Sequence, residues 1–536
     1  MPRPEDTIRA RRIRRLPTFL IAWALTSLIA TIWAIGTPLA ASPDEPAHFI
    51  RAASVARGDI LATGPAGQPG RVEVPGVVAN THALTCTAFD DNKPASCQTS
   101  APRPPHGLVA ADTSANRYDP LYYALVGWPS LLLDGPAALY AMRIVSGILV
   151  SVFVAASVML IAGWRRRLVP MLGLLVASTP TLLFLSGMVN PNALEVTTML
   201  AAFVAALTLV LHPDRAHPGT AATVLAVSGF VAANARGLSP LWLAVVLISC
   251  LFVARPVRIR QVLRTRSVLV AIGVVVAGAV LAVGWTLYSG SLPSPDGTAT
   301  YPGVGTSPLA GFLVTVGNTF DYGREMVALF GWLDTPAPFI VFFLWSAFIG
   351  AGAAASLIAL RRRRRVLAIV GMCVFVALPA VVAGLYVTKG GYIWQGRYAL
   401  PLFVCLVMLV SAMLPPPRSR GRVLVATVAT GWWVGQVASF AVALKRYGAG
   451  YDASWVQFFR HPLWEPLGGS IGLIALAALA FAATAVVVGI VACWDETTAG
   501  PFHTRGRSRD GIKDPVTRPS QRTGTTEISI AADGQV

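Results

Sequence analysis

Runs of about 20 apolar residues recur along this chain, each bounded by arginine or by Pro and Gly, and a run of that length crosses a bilayer as a helix. In hydrocarbon a backbone must satisfy its own N–H and C=O groups, so runs of this kind admit a bundle of helices. Composition agrees. The chain is 54% hydrophobic and only 13% charged, against about 25% charged in a soluble domain. The expected class is all-α, a polytopic transmembrane bundle. Twelve spans are read, at roughly 17–36, 137–163, 168–189, 193–211, 219–235, 238–254, 267–289, 338–360, 366–388, 399–414, 422–444 and 470–493. Segment 120–134 is apolar but too short to cross, and reads as interfacial or re-entrant. The first run lacks a small-residue cleavage site and is expected to remain as an anchor.

The net charge of +18 would suit a nucleic-acid binder if it were gathered on one surface. It is not. Arginines cluster in every second connection: Arg11, Arg12, Arg14 and Arg15; Arg165 to Arg167; Arg255, Arg258, Arg260, Arg264 and Arg266; Arg361 to Arg365; Arg418, Arg420 and Arg422. This alternation obeys the positive-inside rule and predicts that both termini are cytoplasmic. Anionic membrane lipid accounts for the basic residues, and nucleic acid is not an expected partner.

The expected organisation is a basic cytoplasmic N-terminus (1–16), a membrane domain (17–493) and a disordered basic cytoplasmic tail (494–536). The long connections all fall on the outer side: 37–136, 290–337 and 445–469. Loops of that length usually carry function. Two of the six cysteines, Cys86 and Cys97, share the first outer loop. That compartment is oxidising, so they read as a disulfide, with two free thiols as the alternative.

The first outer loop opens on Ser42-Pro43-Asp44-Glu45-Pro46-Ala47-His48, directly after a span. Ser42 reads as an N-cap with Glu45 completing a capping box, Pro43 as the first helical residue and Gly58 as the stop. Asp44, His48 and Arg51 then recur at helical spacing on one face. The segment reads as an interfacial helix along the outer membrane surface. Glu45 is accounted for by the helix dipole. Asp44, aligned with His48 between two prolines, reads as a general base, with His48 orienting it or joining it on a metal. Two carboxylates and one histidine are not a complete metal-ligand set, so a divalent cation remains an open cofactor.

Cations also gather at outer helix ends. Lys389 and Arg397 bracket a polar link that contains Trp394, and Arg236 joins two short spans. Guanidinium and ammonium groups at that depth suit a lipid-linked phosphate. Snorkelling from a helix end is the alternative, and is preferred for Arg143. Glu195 begins another span and would line the same cavity. Tyr122 and its neighbours suit either an interfacial belt or a sugar-stacking surface. Asp321, Arg324 and Glu325 read as a solvated helix face, and Trp332 as an interfacial anchor. No Walker loop, Rossmann fingerprint or zinc spacing occurs.

Several of these segments occur in the same order in a family of bacterial multi-pass membrane proteins, domain of unknown function 2142, which the chain resembles from about residue 20 to 490. They are Pro43-Asp44-Glu45-Pro46-Ala47-His48, Tyr118-Asp119-Pro120-Leu121-Tyr122-Tyr123, Asn190-Pro191-Asn192-Ala193-Leu194, Gly331-Trp332-Leu333-Asp334 and Gln395-Gly396-Arg397-Tyr398-Ala399-Leu400-Pro401. The family in turn resembles the GT-C membrane glycosyltransferases. That resemblance implies transfer of a sugar from a polyprenyl-phosphate donor on the outer face, with inversion. It implies an acidic residue just after the first span, here Asp44 or Glu45, and a basic group at the leaving phosphate, here Arg397.

The reading is therefore an enzyme of the bacterial inner membrane, a GT-C-like inverting glycosyltransferase acting on a cell-envelope glycan or lipid acceptor. Asp44 would be the base, supported by Glu45 and His48. Arg397, Lys389 and Arg236 would hold the donor phosphate, and Glu195, Tyr122 and Trp394 would line the cavity. The rival is a transporter or flippase of an envelope lipid or polysaccharide, which predicts ionisable residues and broken helices in mid-membrane.

Overall fold

The computed structural model describes residues 4–61, 69–212, 218–291, 301–417 and 419–493, with side chains from residue 15 onward. The expected tail 494–536 and the first three residues of the expected N-terminal segment lie outside the described residues. What is described is helical, with two small antiparallel pairings of strands. Each of the twelve segments read as a span is helical. Eight of these helices are long and apolar enough to cross a membrane. Leu168–Ala177 and Pro180–Ser186 make a ninth if taken as one span, bent by 68°. Pro218–Ala233, Ser239–Val253 and Leu400–Met413 have only 16, 15 and 14 residues. Among the described residues, length and apolarity alone qualify eight or nine of the twelve expected crossings.

The bend has a cause and a remedy. Pro180 cannot donate, and Thr179 caps the second half by accepting the Leu182 N–H. The freed Ser178 carbonyl accepts from the Gln436 side chain at 2.8 Å and from the Trp432 indole at 3.2 Å. Both donors sit on Gly421–Ala449, so a neighbouring helix repairs the break. None of the residues involved is ionisable.

Helix α1 (Pro4–Gly36) packs on Gly135–Ala162 and Ser470–Cys493 and delivers the chain to the loop face. There α2 (Glu45–Ala56) begins. Its N-cap is Asp44, in a left-handed conformation at φ 62°, so the capping box expected around Ser42 does not form. The Ser42 hydroxyl is buried without a partner among the described residues. The expected stop holds, since α2 ends at Ala56 and Gly58 takes φ 96°.

The expectation that α2 lies on the membrane surface is overturned. Every residue from Glu45 to Val55 is buried. One side meets the helix Pro120–Gly127, where a Cβ on Gly127 would stand 2.0 Å from the Ala52 carbonyl oxygen. The other meets a hairpin of β1 (Gly70–Pro75) and β2 (Leu108–Thr113), in which Val72 faces Ala111. Thr113 donates to the Ala47 carbonyl at 2.8 Å. Residues 120–134 form this cover with a short second helix and do not re-enter the bundle as a span.

The first loop is closed by the Cys86–Cys97 disulfide. Buried Arg446 reaches from Gly421–Ala449 to the carbonyls of Thr87, Asp90 and Lys93, and to Asp334 at 3.5 Å. Trp332 donates to the Ala40 carbonyl at 3.1 Å, so it clamps the loop instead of serving only as an interfacial anchor. Three loops distant in sequence are thereby held together over the start of α2.

Candidate functional site

Asp44 and Glu45 are consecutive carboxylates that point to different places. Glu45 turns inward and is fully buried. Arg143, equally buried, meets it with two bonds, Nε to Oε1 at 2.8 Å and Nη2 to Oε2 at 2.5 Å. The remaining Arg143 N–H groups donate to the carbonyls of Ala34, Thr37 and Pro38. These lie at the C-terminal end of α1, where carbonyls lack partners within the helix. Glu45 also accepts the Val189 N–H at 3.1 Å. Its lone pairs are committed to the architecture. The supporting catalytic role expected of Glu45 is therefore withdrawn, as is the snorkelling reading of Arg143.

Asp44 turns outward, with its side chain 48% exposed. The left-handed backbone at this residue swings the carboxylate away from the direction α2 gives to Glu45. Oδ2 lies 2.5 Å from Nη2 of Arg397, which is itself almost wholly buried. Burial alone would raise the Asp44 pKa. The Arg397 guanidinium outweighs it, aided by Arg236, and holds the carboxyl below the usual carboxylate range.

His48 stands one turn further on and is buried. Its Nδ1 is 2.9 Å from the Tyr123 hydroxyl and its ring stacks on Tyr123. Burial pushes its pKa down to about 3, with Arg397 and Arg236 adding to the effect and Asp44 opposing it. It is a neutral imidazole at ordinary pH. Its observed partner is a tyrosine, and no bond from its side chain to Asp44 is made.

Arg397 sits in a short 3₁₀ turn, Gly396–Tyr398, whose position is set by Glu325 accepting the Gly396 N–H at 2.5 Å. Glu325 thus belongs to the site's frame, while Asp321 and Arg324 form the expected exposed pair at 3.8 Å. The next residue, Tyr398, joins the two cations: Arg397 lies 5.4 Å and Arg236 4.6 Å from its ring centroid. Arg236 in turn is 3.6 Å from Glu195 and donates to Asn192. Glu195 is buried behind it and accepts from Ser239 at 2.7 Å. Asp44, Arg397, Tyr398, Arg236 and Glu195 therefore form one continuous chain of contacts.

Two members of this chain, Arg236 and Tyr398, line a cavity of about 320 Å³ whose walls also include Trp394, Trp285, Tyr386 and Asp119. Asp119 caps Pro120–Gly127 by accepting the Leu121 N–H at 2.9 Å, and burial raises its pKa to about 6. A second, apolar cavity of about 530 Å³ lies between Ser239–Val253 and Arg362–Gly390. Trp242 and Val382 line the first cavity, and Val245 and Val381, at most one turn away, line the second. The two cavities thus lie beside the same pair of helices, the first with Arg236 in its wall and the second lined almost wholly by apolar side chains.

Of the residues expected at the site, the structure joins Asp44, Arg397, Arg236 and Glu195 and places Trp394 on the cavity wall. Three expectations are corrected. Glu195 stands behind Arg236 and does not line the cavity itself. Tyr122 is fully buried against Ser146 at 2.9 Å, because an amphipathic ring inside packed protein finds a hydroxyl partner there. Lys389 is exposed in the last turn of Arg362–Gly390 and makes no ion pair among the described residues, as an ammonium at a helix end remains in water. Sequence reasoning missed Tyr398 and Asp119 as site residues, although both stand inside the quoted motifs. It had no signal for the Glu45–Arg143 pair. Among the described residues no three His, Cys, Asp or Glu side chains gather as a metal centre.

Fold and site together define a polytopic helical membrane protein with a polar centre built under its loop face. The family described as "Predicted membrane protein (DUF2142)" has a model that matches residues 27–407, and the chain belongs to that family. No curated protein matches the chain. Among solved structures it is similar to ArnT from Cupriavidus metallidurans bound to undecaprenyl phosphate, with a TM-score of 0.41 at 14% identity over 90% of this chain and 77% of that one. The apo state of the same protein gives a TM-score of 0.39 at 12% identity, over 88% of this chain and 77% of that one.

Proposed function

We propose that this protein is an inner-membrane glycosyltransferase that moves a sugar from a polyprenyl-phosphate donor to a cell-envelope glycan or lipid on the extracytoplasmic face. One observation carries the reading. Two guanidiniums flank a single tyrosine ring beside an outward, ionised carboxylate, and Arg236 and that ring line a cavity whose other walls are mostly apolar. An amphipathic anion with a long hydrocarbon tail suits such a cavity. The order of the sequence motifs shared with the family, which in turn resembles the GT-C enzymes, supports the same reading.

In the proposed reaction Arg397 and Arg236 hold the donor phosphate. Asp44 receives the proton of the acceptor hydroxyl as its oxygen bonds to the anomeric carbon from the opposite face. The bond from that carbon to the phosphate oxygen breaks, its electron pair stays on the phosphate, and the arginines meet the growing charge. Neutral His48 anchors the first turn of α2 through Tyr123. The arginines neutralise the leaving group, so transfer is expected to survive EDTA. Loss of transfer in EDTA would instead add a divalent cation between Asp44 and the phosphate.

The test is Asp44→Asn in native cells. The expected result is loss of one envelope glycan modification and build-up of its lipid-linked sugar at normal protein abundance. Unchanged glycans across growth conditions would overturn the assignment. The rival flippase draws on the bent pair Leu168–Ala177 and Pro180–Ser186. It predicts that purified protein moves a labelled polyprenyl lipid between leaflets without making a glycoside.

A further inference from the structure

We propose, on the strength of the glycosyltransferase reading, that Arg397 serves two anions in turn: Asp44 holds it before the donor arrives, and the donor phosphate then takes it. That exchange frees Asp44 for the acceptor hydroxyl, so the donor must bind before the acceptor can react.

The two long-range arginines of this region differ in how they are satisfied. Arg143 has five N–H groups and five acceptors. It is a finished structural contact. Arg397 is almost as buried, yet its Nε has no partner among the described residues, and its bond to the Pro43 carbonyl is long, at 3.4 Å. Its shortest contact is Asp44, and the Tyr398 side chain is another hydrogen-bond partner. A buried guanidinium left with unused donors gains by taking another oxygen anion. Arg236, on the same tyrosine ring, adds a second positive charge facing the same place. Arg236 is already paired with Glu195 at 3.6 Å, so Arg397 is the guanidinium with donors to spare for an incoming anion.

Asp44 is built to let go. Its carboxylate is half in water, so release exposes no buried charge. Its partner Arg397 moves without disturbing the Glu45–Arg143 pair, which holds α2 independently. A carboxylate clamped by a guanidinium is a poor proton acceptor, and the same carboxylate freed of it is a better one. The phosphate therefore does two things. It occupies the leaving-group position and it turns on the base. Proton, bond and electron pair then move as described above, with Asp44 losing its proton to water once the phosphate has left.

The experiment uses the full chain in nanodiscs, with bare polyprenyl phosphate as the probe. Wild type, Asp44→Asn, Arg397→Ala and the double variant are titrated, after each is shown to melt normally. Sharing predicts that Asp44→Asn binds the probe roughly two- to fivefold more tightly, the range set by losing one part-exposed ion pair. Arg397→Ala should weaken binding tenfold or more. In the double variant the gain from Asp44→Asn should vanish. A gain that persists without Arg397 means simple repulsion between Asp44 and the phosphate, and overturns the exchange. Equal or weaker binding by Asp44→Asn also overturns it, while leaving the phosphate site standing. Unchanged binding by Arg397→Ala would remove the phosphate site on which the exchange depends, and with it the exchange itself.

Discussion

Asp44 and Glu45 carry the same chemical group, and one positive φ sends them to opposite ends of the site. The buried partner is structural, so Glu45→Gln should cost roughly 3–5 kcal/mol by leaving Arg143 charged and uncompensated. A large drop in melting temperature and in membrane abundance is the expected readout. Asp44→Asn should leave both near wild type. His48 makes a second prediction. Its pKa falls from 6.5 in the unfolded chain to about 3 in the fold. Between those values the unfolded chain takes up a proton that the native protein refuses. Stability is therefore full above pH 6.5 and declines by about 1.4 kcal/mol for each unit as pH falls through this window. Asp119 is raised and slopes the other way, but it does so in every variant. The difference between wild type and His48→Gln isolates the histidine: the wild type's melting temperature should fall relative to the variant's as pH drops from 6 to 4. An unchanged pH profile would show that His48 is not held neutral.

At the scale of elements, the closeness of α2 to Pro120–Gly127 sets the site. Gly127 has no left-handed torsion to justify it; its reason is space, since a methyl there would overlap the Ala52 carbonyl. Gly127→Ala should push the two helices apart and loosen the His48–Tyr123 bond. The expected outcome is a melting temperature several degrees lower, with restoration of neither stability nor glycan modification by Tyr123→Phe. Helix periodicity did reveal that residues 43–57 form a helix. It could not reveal that this helix is buried, because α2 mixes Glu, His and Arg among small apolar residues. Such a stripe reads as interfacial when its polar partners are invisible. The partners here are Arg143, Tyr123 and the Tyr118 carbonyl, contributed by segments between 67 and 98 residues away.

For the whole molecule, the arginine alternation predicts that the loop face is extracytoplasmic and the Arg361–Arg365 turn cytoplasmic. Impermeant maleimide should label Asp112→Cys in intact cells, and Arg363→Cys only after permeabilisation. Labelling in the reverse pattern would invert the topology and strand the site on the cytoplasmic side. The Cys86–Cys97 disulfide agrees with an oxidising loop face. The apolar runs determined the class of molecule by themselves, because a backbone in lipid has only its own groups to pair with. They also marked where water begins, and hence where charged chemistry gathers. Tertiary structure alone decided which of two adjacent acids is buried, and that Arg397 meets Asp44 across 353 residues while Lys389, eight residues before it, does not. The reason is the same throughout. Solvation by lipid acts on each segment separately, whereas a buried charge is placed only by the partners that packing brings to it.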